Sequence, residues 1–147
     1  MKKSIIITMV FAFFSTILLQ SANAEDMTIE MLNKRDDGAK MVYSEDIARI
    51  DVGDTITWVP TSKGHNVQFI AGPEGWDLPK KSKNNKEVSI TFDVPGVYVY
   101  VCTPHATMGM LGVITVAEGG EVPLNDVSKA KVRGKSKKKL KELLGEL

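Results

Sequence analysis

The stretch "VYVYVCTPHATMGMLGVITV", Val97 to Val116, decides how this 147-residue chain folds. Val97, Val99 and Val101 alternate with Tyr98 and Tyr100, and "LGVITVA" after the break is again rich in β-branched residues. Both runs read as apolar strands. The short loop between their ends gathers its side chains at one end of the fold. It holds the single cysteine, Cys102, and one of two histidines, His105, followed by Met108 and Met110.

Working outward, the same strand signals recur. "MTIEMLN" (Met27–Asn33), "KMVYS", "IARIDVG", "TITWVP" (Thr55–Pro60) and "HNVQFI" (His65–Ile70) precede it. "EVSITFDV" (Glu87–Val94) places Val88, Ile90 and Phe92 on one face. Gly53-Asp54 and Pro95-Gly96 are turn signals. The pattern predicts an all-β, Greek-key β-sandwich of seven to eight strands. "AGPEGWDLPKKSKNN" (Ala71–Asn85) reads as a surface loop with a helical turn. Beyond Gly119-Gly120, "PLNDVSKAKV" and "KSKKKLKELLGEL" predict two C-terminal α-helices from about residue 121. Leu140, Leu143, Leu144 and Leu147 share one helix face, which should pack on the sandwich, with lysines opposite.

The first 24 residues have the features of a secretory signal peptide: basic Lys2-Lys3, an apolar run from Ile5 to Leu19, and a small-residue site at Ala22-Asn23-Ala24. The run is short for a membrane span, so cleavage near Ala24 and no stable membrane association are expected. The folded domain is then 25–147. Without Lys2 and Lys3 it carries 17 basic and 18 acidic residues. From Lys129 onward there are eight basic and two acidic residues, so an acidic body bears a basic tail. No basic motif is interleaved with aromatics, which argues against a nucleic-acid partner.

One cysteine cannot form a disulfide within the chain, and an exposed free thiol in an oxidising compartment would be oxidised. A metal would both use and protect it. Cys102, His105 and Met110 follow the spacing C-x2-H-x4-M, and His65 opens another expected strand. Convergence of these side chains would give a His2Cys site with an axial thioether, the donor set of blue-copper electron-transfer centres. Met108, two residues before Met110, competes for the thioether place. Both histidines are consumed by one metal, which leaves none for an open catalytic copper. No Met-rich tract suggests a copper-delivery protein.

The segments "GHNV" and "CTPHATMGM", with "MLNK", "MVY" and "VGDTITWVP", resemble those of cupredoxins. The likeness extends over nearly all of 25–147 and is greatest to the pseudoazurin branch, whose C-terminal helical extension it shares. The resemblance implies a periplasmic, monomeric electron carrier with one copper ion cycling Cu(I)/Cu(II). It selects His65, Cys102, His105 and Met110 as ligands. It implies that the Asn66 N–H points at the sulfur while its side chain ties two loops together. Thr103 and Pro104 would also adjoin the site, Pro104 limiting the donors near the sulfur. Met41 would pack near the His105 ring. An apolar patch of Pro104, Ala106, Met108 and Leu111 would meet redox proteins such as a copper nitrite reductase or a cytochrome c. Lys34 and Lys63, with Lys80, Lys81 and Lys83, would contribute to a lysine ring. The chain departs from the pattern at Glu30, where histidine is frequent, and at Val101, where lysine is common.

Overall fold

The computed structural model describes residues 24–147; the signal-peptide reading of residues 1–24 lies outside them except at Ala24. Eight strands form: β1 (Asp26–Lys34), β2 (Lys40–Tyr43), β3 (Ile47–Asp51), β4 (Thr55–Val59), β5 (Gln68–Ala71), β6 (Val88–Thr91), β7 (Gly96–Val101) and β8 (Leu111–Ala117). They make two four-stranded sheets, ordered β2-β1-β4-β6 and β3-β8-β7-β5. The chain crosses repeatedly between sheets, so β1 pairs parallel with β4, and β3 parallel with β8, while neighbouring pairs are antiparallel. This is the expected all-β sandwich.

Alternation explains the layers. In β4, Ile56 and Trp58 face inward and are fully buried. The hydroxyls of Thr55 and Thr57 pair across the outer face with Thr91 and Ser89, at 2.8 and 2.7 Å. The core holds Trp58 edge-on to Phe69 and Tyr100, with ring centroids 5.7 and 5.3 Å apart. In β7 every residue is buried. Tyr98 and Tyr100 enter the core between the sheets, whereas Val97, Val99 and Val101 point outward into a second apolar layer. That layer is closed by α1 (Ser136–Leu144) through Leu140 and Leu143.

One of the two expected helices is absent. Residues 121–135 run over the outer face without helix. Local side-chain bonds win there. Asn125 uses both ends of its amide on Val97, accepting its N–H at 2.6 Å and donating to its carbonyl at 3.0 Å. Asp126 accepts from the amide and hydroxyl of Ser128, closing a turn that competes with a helix.

The long connection after β5 is, as expected, a largely exposed loop with a turn at Glu74-Gly75. It contains no helix, and Trp76 turns inward, edge-on to Tyr98 and Phe69 at 4.7 and 5.1 Å. Its end then runs beside the segment before β5. The Ser82 N–H donates to Val67 O, and the Asn85 N–H to His65 O, both at 2.9 Å. His65 therefore sits in a braced loop and not within a strand.

Candidate metal centre

The loop between β7 and β8 is tied to itself. Cys102 N–H donates to Met110 O at 3.0 Å, His105 N–H to Cys102 O at 3.1 Å, and Met110 N–H to His105 O at 3.2 Å. Thr103–Met108 forms a 3-10 turn. Pro104 lies at its start, where a missing N–H costs no internal hydrogen bond. Gly109 ends it with φ 101°, a left-handed conformation suited to glycine.

This winding brings Cys102 Sγ to 3.5 Å from His105 Nδ1 and 3.6 Å from His65 Nδ1. Cys102 and His65 are fully buried; His105 is half-buried. His65 Nε2 stands 2.8 Å from the Oδ1 of Asn33, at the end of β1. A carbonyl oxygen only accepts, so Nε2 carries the proton and the Nδ1 lone pair faces the sulfur. Burial, reinforced by the neighbouring His105, holds the His65 pKa below its ordinary value. Burial raises the Cys102 thiol, partly opposed by the backbone N–H groups of Asn66 and His105. A cation in the pocket would reverse the shift at Cys102, because it favours thiolate, and would act with the shift at His65, which already favours the neutral imidazole. The donor set therefore fits a soft metal.

Asn66 knits the two ligand loops. Its Nδ2 donates to Thr103 Oγ1 at 2.7 Å and to Asn84 Oδ1 at 2.9 Å, while its Oδ1 accepts the Thr103 N–H at 2.8 Å. Tyr43 donates its hydroxyl to Asn66 O at 2.8 Å. Met110 is fully buried in the same core cluster as Cys102, and Met41 packs on that cluster half-buried. Met108 is 49% exposed. Pro104 is exposed and Ala106 half-buried, both on the loop surface with Met108.

Leu111 corrects the expected contact patch: it is fully buried. Its side chain faces the outer layer, under Leu140 and Leu143, so α1 removes it from any partner. Val101 is buried in the same layer, where a charge would be unfavourable. Lys34, Lys63, Lys80, Lys81 and Lys83 are exposed.

The profile described as "Copper binding proteins, plastocyanin/azurin family" matches residues 29–117. The chain belongs to that family. Among its relatives, the pseudoazurin of Paracoccus pantotrophus is 40% identical, the match covering 76% of this chain and 77% of the relative. A solved pseudoazurin structure from Sinorhizobium superposes with a TM-score of 0.75 at 40% identity, over 82% of this chain and 94% of that one. The native pseudoazurin structure from Hyphomicrobium denitrificans gives 0.72 at 31% identity, over 84% and 98%. This cupredoxin of the pseudoazurin branch is thus a one-copper electron carrier that acts with redox partners, not an enzyme.

Several contributors to the cupredoxin site carry no signal in the sequence. Asn33 is one residue of the familiar "MLNK", and nothing local ties it to His65, 32 positions away. Asn84 and Asn85 show only as the end of the Ala71–Asn85 loop, yet one bonds Asn66 and the other braces His65.

Proposed function

We propose that His65 and His105, through their Nδ1 atoms, Cys102 through Sγ and Met110 through its thioether hold the copper of this cupredoxin. The observation that carries the assignment is the convergence of one thiol and two imidazole nitrogens within 4.8 Å, with the His65 tautomer set by Asn33. Copper bound there supplies a one-electron Cu(I)/Cu(II) couple. The protein excludes water from Cys102 and His65, holds both donors in folded loops and leaves an edge of His105 toward the surface. A rigid scaffold keeps the ligand arrangement similar in both oxidation states, which lowers the cost of electron transfer.

The surface around His105 offers Pro104, Ala106 and Met108 for brief docking. Exposed lysines, including Lys34 and Lys63, guide an acidic redox protein. A copper nitrite reductase or a cytochrome c is the class of partner proposed. The proposed setting is the periplasm, after removal of residues 1–24, with 25–147 acting as a monomer.

The test is a visible spectrum of the 25–147 protein with Cu(II), repeated on Cys102→Ala. An intense thiolate-to-copper band, bleached reversibly by ascorbate and lost in the variant, is expected. Weak absorption, the same in both proteins, would overturn the assignment.

A further inference from the structure

The two imidazoles are held differently. The His65 ring is fixed by Asn33, whereas the only side-chain hydrogen-bond contact of the His105 ring among the described residues is with Cys102 Sγ. Beyond the neighbouring His65 ring, whose centroid is 4.8 Å away, the placement of His105 comes from its backbone, and the end of its 3-10 turn is gripped from outside the loop. Lys135 N–H donates to Thr107 O at 2.9 Å, and the Ser136 hydroxyl donates to Ala106 O. The Ala106 carbonyl also accepts the Gly109 N–H at 3.2 Å, so the Ser136 hydroxyl adds a second donor to it, while the Thr107 carbonyl, at the end of the turn, is met by Lys135. Ser136 is fully buried despite its hydroxyl. Gly134 has φ +58°, and a Cβ there would collide with the Thr107 carbonyl and stand 2.9 Å from its Cα. Glycine is what allows two backbones to approach so closely.

Docking of the helix alone does not require this grip. Leu140 and Leu143 hold α1 on Val101 and Leu111, the strand ends that flank the loop. Lys139 fixes it to Asp46 at 2.6 Å. We infer that Gly134–Ser136 is a positioning strap, which sets where the turn carries His105 relative to Cys102 and thereby tunes the copper couple. The inference rests on the ligand assignment above. Ser136 touches neither copper nor its ligands' donor atoms and acts through the Ala106 carbonyl.

The test compares Ser136→Ala with Leu140→Ala in the 25–147 protein. In the copper form, Ser136→Ala should retain the thiolate band but move its position and the midpoint potential, with Ser136→Thr recovering the original values. Leu140→Ala should lower the thermal midpoint more while leaving band and potential in place. In the metal-free form, amide exchange at Lys135 and Gly109 should quicken about fivefold in Ser136→Ala, the loss of one net hydrogen bond. An unchanged band and potential in Ser136→Ala, equal shifts in Leu140→Ala, or unchanged exchange would overturn the strap. Absence of a thiolate band in the unmodified protein would instead sink the ligand assignment, and the exchange measurement would still judge the strap.

Discussion

His65, as the proposed ligand, shows how much of such a side chain's behaviour lies in a residue it does not neighbour in sequence. The Asn33 amide leaves Nδ1 free to donate its lone pair, so a side chain that cannot accept from Nε2 should lower copper affinity. Asn33→Leu is expected to weaken binding about tenfold, the lower end for partners of metal-bound histidines. Asn33→Asp, which keeps an acceptor, should lose less; competition with a chelator reads both. The depressed His65 pKa also sets a pH dependence for the metal-free protein. The unfolded chain takes up the proton near the ordinary histidine value, about 6.5, while the folded chain resists it. Stability is full above that value and falls as pH drops toward the folded pKa. Urea midpoints of metal-free protein should decline below about pH 6.5, and His65→Gln should flatten that decline. A pH-independent midpoint in the unmodified protein would contradict the account.

At the scale of elements, the join between α1 and the sandwich has an apolar and an ionic part. Leu140→Ala should cost about 3 kcal/mol, the usual range for a buried leucine, by chemical denaturation. Asp46 receives Lys139 at 2.6 Å and Arg35 at 3.0 Å. Burial opposes its ionisation, but those two hydrogen bonds outweigh it and the pKa ends below the ordinary carboxylate value. Its contribution is present above about pH 4 and is lost as pH falls through the lowered pKa. Asp46→Asn should cost about 1 kcal/mol at neutral pH, discounted for solvent screening at a part-exposed pair. That difference should vanish in strong acid. Strands such as β3 and β4 were readable from period-2 alternation, β7 and β8 from runs of β-branched and aromatic residues, and Leu140 and Leu143 from helical spacing. The missing helix was not, because helix-forming composition in 123–132 hid what Asn125 does for Val97 across the fold. Trp76 was equally opaque: a tryptophan among glycine, proline and lysine reads as loop until the aromatic cluster that receives it is assembled. The ligand loop was legible because its residues are close in sequence, whereas Leu111 misled because the helix covering it arrives from a distant segment.

For the whole molecule, the sheet β3-β8-β7-β5 is apolar on both faces and depends on the C-terminal segment for cover. A chain ending at Gly120 would expose Val97, Val99, Val101, Leu111 and Val113 together, a patch that promotes association. Such a truncation should aggregate or elute as oligomers in size-exclusion chromatography, and a monomer with native stability would contradict the layered account. The same sheet has a kinetic side. Its β3–β8 pairing is parallel, and Ile47 must find Val113 across most of the domain before that part of the sheet exists. Contacts so distant in sequence form slowly. In the proposed periplasmic setting, an unmetallated Cys102 thiol in a chain that has not finished folding would be vulnerable to oxidation. There the rate of strand pairing would race against oxidation, and the yield of copper-competent protein would depend on which finishes first.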